Sequence, residues 1–180
     1  QETNSYLVDD ASELAYLAAL LNGTLSTTRA TDDANFNIVL TKDLNLGNQI
    51  WTPIGTNEKP FKGTFDGANH IIHNLYVPKS GESNKGLFGY TTDGEIKNLV
   101  INNAKVAGRL NIGVVAGTPY TSKYTNITVK GLVQVEGMAY VGAVGGKNAY
   151  ADWTGITVDV DETSYVKANS VENGTAYRTY

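Results

Sequence analysis

Residues 93–117 of this 180-residue chain read DGEIKNLVINNAKVAGRLNIGVVAG and contain two short alternating apolar runs followed by a glycine motif. The same succession returns, altered in detail, before and after this stretch. A repeat of this kind indicates a solenoid, because each turn can bury its inward side only by stacking on its neighbours. The repeat therefore decides the fold.

Four segments align as the first run of successive turns: residues 72–77, 96–101, 124–129 and 153–158, whose starts lie 24, 28 and 29 residues apart. The shared positions are two aliphatic columns (Leu75, Leu99, Ile127 and Ile156; Val77, Ile101, Val129 and Val158) and one polar column (Asn74, Asn98, Asn126 and Gly155). We expect the aliphatic columns to face the core. We expect the asparagines to turn a corner, because asparagine tolerates the left-handed conformation and its amide can bond from turn to turn.

Each turn also contains a second run and a glycine motif. The second runs are residues 104–106 and 133–135, and the glycine motifs are residues 86–89, 113–117 and 142–146. Three short strands per turn, with no helical segment between them, favour an all-β parallel β-helix over a leucine-rich repeat. A propeller is disfavoured because each blade needs four antiparallel strands joined by hairpins.

The two ends of the chain differ from the repeat. Asp10 and Glu13 have the spacing of a capping box, an apolar stripe follows, and Gly23 supplies a stop, so residues 10–22 are predicted to form a capping α-helix. We expect a single domain over residues 1–180, with β-helix turns at 37–158. Residues 159–180 are predicted to form a closing turn that covers the exposed end.

Composition narrows the classes of function. A net charge of −4 and a pI near 5.1, with the basic residues scattered singly, argue against a nucleic-acid partner, which needs a concentrated basic patch. The chain has no cysteine, so it carries neither a disulfide nor a thiolate metal site. No long apolar run occurs in the sequence, so we expect no membrane-spanning segment.

Several motifs resemble those of a known family. They are Trp51, Pro53, Ile54 and Gly55; FKGTFDG at 61–67; His70; Asn74 and Leu75; GLFG at 86–89; and Gly94 with IKNL at 96–99. This set is similar to bacterial proteins that carry the GLUG motif, over roughly residues 12–146. The resemblance implies a right-handed β-helix in a secreted or cell-surface protein, where such modules look like stalks or display surfaces of adhesins. Some are attached to unrelated enzymatic domains. The motifs at 113–117 and 142–146 depart from the pattern, since they lack its Leu-Phe pair.

No set of residues in the sequence forms a recognisable catalytic or metal site. His70 and His73 are the only histidines and no third ligand accompanies them, so we expect no metal ion. Asp159 and Asp161 share a strand face and could bind Ca²⁺ or act as an acid pair, but no carboxylate occupies that column in other turns. We expect no catalytic residue and no cofactor. The alignment places His73 in an outward column with Lys97, Thr125 and Thr154.

Aromatic residues follow the glycine motifs. Tyr90, Tyr120 and Tyr150 are spaced 30 residues apart and are predicted to stack at one corner of successive turns, with Trp153 close by. Tyr124 and Tyr140 are expected in the same region. Rings with polar tips can stack on sugars or form the centre of a protein contact. The alternative is that these rings only cover the loops beneath them.

We therefore expect a non-enzymatic adhesion or binding module of an exported bacterial surface protein. Its partner would be a glycan or a cell-surface protein, contacted through Tyr90, Tyr120, Tyr150 and Trp153. One alternative is a carbohydrate-active enzyme, a polysaccharide lyase or hydrolase of the parallel β-helix class. A second alternative is a purely structural stalk.

Overall fold

The computed structural model describes residues 5–25 and 36–169, together with the backbone of residues 171–172 and 175–176. In these residues the chain forms a parallel β-solenoid of about five turns, with one short helix near its N-terminus. The predicted all-β class, the parallel stacking of turns and the N-terminal helix are confirmed.

The strands, in chain order, are β1 (Ser5–Val8), β2 (Asn37–Leu40), β3 (Leu44–Asn45), β4 (Thr64–Asp66), β5 (Ile71–Val77), β6 (Phe88–Thr92), β7 (Glu95–Ala107), β8 (Leu110–Gly113), β9 (Ala116–Tyr120), β10 (Lys123–Gly137), β11 (Ala139–Gly142), β12 (Asp152–Val160), β13 (Tyr165–Ala168), β14 (Val171–Glu172) and β15 (Thr175–Ala176); the helix α1 is Ala11–Leu21. One face of the solenoid pairs in the order β1, β2, β4, β7, β10, β12. The next face is formed by β3, β5, the second halves of β7 and β10, and β13. Two pairs, β8 with β11 and β6 with β9, complete the turns.

The helix α1 begins where the sequence predicts. Asp10 Oδ1 accepts hydrogen bonds from the amides of Ser12 (2.7 Å) and Glu13 (2.9 Å). Glu13 Oε2 accepts from the amide of Asp9 (3.0 Å), one residue before the amide that a capping box would use. The helix buries Leu14, Leu17, Ala18, Leu20 and Leu21 in the core. It therefore closes the core at the β1 end of the sheet.

The strands β7 and β10 are longer than the predicted ones. They contain 13 and 15 residues and each joins two runs that the sequence separates. Asn98 (φ 50°) and Asn103 (φ 61°) turn β7 in the left-handed conformation, so the strand bends without ending. The glycine motif at 113–117 spans the corner between two strands, because Gly113 ends β8, Val114 and Val115 form the bend, and Ala116 begins β9.

The predicted alignment of residues 72–77 is wrong. Ile72 pairs with Ile101, and the position beside Ile96 belongs to Phe65. Residues 72–77 therefore form the second face of their turn, where Leu75 lies beside Ala104. The predicted alignment of the three later segments is correct, since Leu99, Ile127 and Ile156 pair in register. The error has a physical origin, because every turn has two similar corners and the local sequence does not say which one it forms.

The predicted asparagine column is in fact two ladders, one at each corner. In the first, Asn74 Nδ2 donates to Asn45 Oδ1 (3.0 Å) and Asn103 Nδ2 donates to Asn74 Oδ1 (3.4 Å). In the second ladder, Asn98 Nδ2 donates to Asp66 Oδ1 and Asn126 Nδ2 donates to Asn98 Oδ1, each at 3.1 Å. Side-chain amides therefore satisfy one another from turn to turn, and Gly155 (φ 67°) ends the second ladder.

The family-like motifs also have a structural role. Trp51 Nε1 donates to the carbonyl of Leu87 (3.0 Å), which joins the WTPIG segment to the GLFG segment of the following turn. Gly89 donates its amide to the carbonyl of Ile54 (2.8 Å). These residues are buried, so the motifs hold adjacent turns together and do not by themselves indicate an activity.

The last turn leaves apolar side chains uncovered in the described residues. Val158 is 47% exposed and Val166 is 45% exposed, although their columns are buried in the preceding turns. Residues 159–180 were predicted to form a closing turn. Within them, β13 pairs with β10 and continues the solenoid, and β14 and β15 pair with each other antiparallel. Tyr177, which belongs to the range predicted for this turn, lies outside the described residues.

A buried hydrogen bond in the core leads to a stability prediction. The Tyr124 hydroxyl lies 2.7 Å from Thr91 Oγ1, and burial raises the pKa of the Tyr124 phenol well above its ordinary value. Tyr124→Phe leaves Thr91 without this partner in the interior, so we expect it to lower the free energy of unfolding by about 1–3 kcal/mol. Urea denaturation measures the change.

The matched control is the double variant Tyr124→Phe with Thr91→Val, which removes both hydroxyl groups. We expect it to recover part of the loss, because no buried polar atom is then left without its partner. If the loss of stability in the double variant equalled the sum of the losses in Tyr124→Phe and Thr91→Val, the hydrogen bond would have no stabilising role.

Candidate functional site

The three tyrosines predicted to meet do meet. Tyr90 lies in β6, Tyr120 ends β9, and Tyr150 follows the segment that pairs with β9 in the next turn. The ring centroids of Tyr90 and Tyr120 are 6.5 Å apart with the planes tilted by 32°. Those of Tyr120 and Tyr150 are 6.1 Å apart and nearly perpendicular, at 89°. We call this set the tyrosine strip.

The rings do not occupy one backbone column. Tyr90 pairs with Thr118, two residues before Tyr120, and Tyr120 pairs with Ala149, one residue before Tyr150. The equal spacing of 30 in the sequence is longer than the turn, so each ring is displaced along its rung. The tyrosine side chains are long enough to maintain contact across these offsets, and the strip crosses the rungs obliquely.

A groove of about 580 Å³ lies along the strip. It is lined by Tyr90, Tyr120, Tyr150, Asn57, Asn84, Asn111, Asn148, Thr118, Lys147 and Ala149. Exposure of the rings increases along it, from half-buried Tyr90 to Tyr120 (37%) and Tyr150 (83%). The groove therefore combines aromatic faces with amide and hydroxyl groups, and no carboxylate lines it in the part of the chain that the structure describes.

Two of the amides are held in place by hydrogen bonds. Asn84 Oδ1 accepts from Asn111 Nδ2 (2.8 Å) and from Thr118 Oγ1 (2.8 Å). Asn84 Nδ2 and Asn111 Oδ1 have no partner among the described residues. One donor and one acceptor are thus available in the groove on a preorganised framework. Sequence reasoning missed these residues, although Asn84 and Asn111 lie 27 residues apart, about one turn of the repeat.

Trp153, predicted to belong to this site, does not line the groove. Its ring stacks on Tyr124 inside the solenoid, with centroids 4.0 Å apart and planes within 14°. Trp153 pairs with Tyr124, and Tyr124 with Ile96, so both aromatics extend an inward column. The Trp153 indole donates to Asn148 Oδ1 (3.3 Å), and this bond is its connection to the groove.

Tyr140 lies near the groove but does not line it. It is half exposed, and the Lys147 ammonium is 5.8 Å from the centroid of its ring. This distance is within the range of a cation–π contact. Lys147 therefore connects the groove with a further aromatic residue outside it.

The histidines have structural partners. His70 Nδ1 lies 3.2 Å from Asp43 Oδ1, an oxygen that also accepts from the amide of Ile71 (2.9 Å). The Ile71 amide, with a smaller contribution from His70, holds the pKa of Asp43 below its ordinary value. His73 Nδ1 is 3.1 Å from Asn102 Nδ2. The predicted outward column of His73 with Lys97 is therefore wrong, because β5 belongs to the other face.

One group of carboxylates lies at the start of the helix α1. Oxygens of Asp9, Asp10 and Glu13 lie within 4.8 Å of one another. Their contacts are those of a helix start, because Asp10 caps α1 and Glu13 accepts from the Asp9 amide. Lys42 Nζ pairs with Asp9 Oδ2 at 2.6 Å. The cluster is explained by capping and charge pairing.

The fold and the groove define the class of this chain as a parallel β-solenoid repeat module with an aromatic surface groove. It is similar to halomucin of Haloquadratum walsbyi, with 32% identity over 132 residues, 71% of this chain and 1% of halomucin. The chain thus spans about 1% of the length of that relative. No protein-family model matches the chain, and no solved structure matches it.

The likeness to halomucin and the solenoid fold are compatible with a structural or binding module of a surface protein. In the part of the chain that the structure describes, no helix is long and apolar enough to cross a membrane. The resemblance to GLUG-motif proteins stays a prediction.

Proposed function

We propose that this chain is a non-enzymatic binding module of a secreted or cell-surface protein and that it binds glycans in the groove along the tyrosine strip. The observation that carries the proposal is the meeting of Tyr90, Tyr120 and Tyr150 from three turns, with ring centroids 6.5 and 6.1 Å apart. Aromatic faces stack on the apolar faces of sugar rings, and tyrosine offers large area with little conformational entropy to lose.

The polar lining supports the same ligand class. Sugar hydroxyls both donate and accept, and the groove offers both functions through Asn84 Nδ2 and Asn111 Oδ1. The preorganised amides lower the entropic cost of binding, because their rotamers are already restricted. An extended glycan laid along the solenoid axis would cross one tyrosine per turn.

Hydrolysis or lyase chemistry finds little support in this groove. Glycoside hydrolysis generally uses two carboxyl groups on either side of the scissile bond. Asp93 is adjacent to the strip through its backbone, since its amide lies 3.4 Å from the carbonyl of Tyr120, but its side chain does not line the groove. Binding without cleavage is therefore the function that these residues favour.

We expect Tyr120→Ala to weaken glycan binding about tenfold, because ring stacking contributes about 1 kcal/mol beyond buried area and truncation also removes that area. Tyr120 is the central ring of the strip and contacts both neighbours. A glycan array identifies the ligand, and calorimetry on the best binder measures the dissociation constant. Tyr16→Ala, at an exposed position on α1, is the matched control and should bind as wild type.

A polysaccharide-degradation screen on the same protein completes the test. Cleavage of any polymer would overturn the non-enzymatic function. Failure to bind any glycan would leave the structural stalk as the better description. Binding that Tyr120→Ala leaves unchanged would remove the groove as the site while retaining a binding module.

A further inference from the structure

Among the residues that the structure describes, one charged side chain lines the groove along the tyrosine strip, that of Lys147. On the basis of the proposed glycan site, we infer that the ligand is an acidic glycan and that the Lys147 ammonium pairs with its carboxylate or sulfate group. This inference names the chemical class of the ligand and the residue that selects it. It does not follow from the tyrosines, which would stack on neutral and acidic sugars alike.

The charge of the groove is opposite to that of the molecule. The chain has a net charge of −4, but the ten described residues that line the groove include no aspartate or glutamate. Six of the remaining lining residues are neutral hydrogen-bonding side chains or alanine, and three are tyrosines. An anionic ligand therefore meets a local positive charge, and no carboxylate among the described lining residues repels it.

The position of Lys147 is well defined by the backbone. Its amide donates to the carbonyl of Gly117 (2.9 Å) in the preceding turn, and the Gly146 amide donates to the carbonyl of Ala116 (3.0 Å). The side chain extends so that Nζ lies 5.8 Å from the centroid of the Tyr140 ring. The Tyr140 ring thus faces one side of the Lys147 ammonium, and Lys147 remains exposed, so a ligand can reach the ammonium from the other side.

Lys147 has no ion-pair partner in the described part of the chain. The ion pairs there use Lys42, His70, Lys79, Lys85 and Lys97. An acidic sugar would therefore not have to displace a carboxylate of the protein. Asn148 is the next residue, and its Oδ1 is already occupied by the Trp153 indole, so its amide nitrogen remains as a neighbouring donor.

The expected gain is moderate and depends on salt. Exposed ion pairs contribute up to about 1 kcal/mol, which corresponds to a preference of about fivefold for an acidic glycan over its neutral form. Screening shortens the range of this attraction to about 8 Å at physiological ionic strength and to about 3 Å at 1 M salt. Binding of a neutral glycan, which relies on stacking and amide bonds, should change little with salt.

The test is an array on which each acidic oligosaccharide is printed beside a neutral counterpart with the same backbone. Uronic and sialic acids are paired with their methyl esters, and sulfated chains with their desulfated forms. We expect wild type to bind the acidic form about fivefold more tightly. Lys147→Met should remove this preference while retaining binding of the neutral form. Lys105→Met, at an exposed lysine on β7 that does not line the groove, is the matched control.

The outcomes separate this inference from the proposed function. Equal binding of acidic and neutral forms, or an acidic preference that Lys147→Met leaves intact, overturns the inference and retains the glycan site. Absence of binding to every glycan overturns both. Acidic preference lost in Lys147→Met, retained in Lys105→Met and weakened by 1 M NaCl supports the assignment.

Discussion

Gly117→Ala is expected to lower the free energy of unfolding by about 3 kcal/mol, the upper part of the range for overpacking a well-packed interior. A Cβ at this position would lie 2.5 Å from the carbonyl carbon of Asn84 and 2.5 Å from the amide nitrogen of Lys85. Both atoms belong to the backbone of the preceding turn, so no side-chain rotation relieves the clash. The two turns would have to separate locally, and with them the pairing of β6 and β9.

Urea denaturation followed by circular dichroism measures this effect. Gly81→Ala is the matched control, because a Cβ there meets nothing within 4 Å and the residue lies outside the strands. The control should leave stability unchanged or raise it by about 0.5 kcal/mol through the lower entropy of the unfolded chain. Equal stability of both variants would show that the turns can separate at Gly117 without cost.

The second large effect is expected at the centre of the core. Leu99→Ala should lower the free energy of unfolding by about 3 kcal/mol, within the range for removing a buried leucine side chain and leaving a cavity. Leu99 is fully buried and lies beside Ile127 of the next turn. Because turns stack on both sides of it, neighbouring residues cannot collapse into the space.

Ile156→Ala provides the comparison within the same column. Ile156 pairs with Ile127 but lies in the last described turn, where it is only partly buried. Its truncation removes less buried area and opens no enclosed cavity, so we expect a loss of about 1 kcal/mol. Thermal and urea unfolding of the two variants test the difference. A larger loss for Ile156→Ala would mean that this end of the solenoid is covered in solution.

These two predictions concern the contact between turns, which is also what makes the tyrosine strip possible. Tyr90, Tyr120 and Tyr150 come from different turns, and each turn is positioned only by stacking on its neighbours. A variant that separates turns near Gly117 should therefore weaken ligand binding as well as stability. Tyr120→Ala and Lys147→Met, in contrast, change exposed side chains and should leave the fold intact.

Much of the fold was predictable because its signals are local. Asp10 and the apolar stripe that follows it define the helix α1 through capping and helical periodicity. The alternation at Leu99 and Ile101 predicts their burial, which the structure confirms. The meeting of the tyrosines was also predictable from their spacing, although their displacement along the rungs was not.

Other features depend on pairing between distant segments. The segment 72–77 resembles 96–101 in sequence but pairs with the second half of β7, because the length of each turn decides which corner it forms. The strand β1 was missed because its four residues become a strand only by pairing with β2 across the helix. Trp153 was predicted to lie beside the three tyrosines, but register places it on Tyr124 inside the solenoid.

The sequence alone thus determined the solenoid, its inward aliphatic columns, its capping helix and the presence of aromatic side chains near one corner. These properties follow from periodicity, capping and turn preferences, which act over a few residues. Only the tertiary structure decided the register of the turns, the two asparagine ladders and the groove in which Asn84, Tyr120 and Lys147 meet. Those contacts join residues about one turn or more apart, and the hydrogen-bond pairing of whole turns is what brings them together.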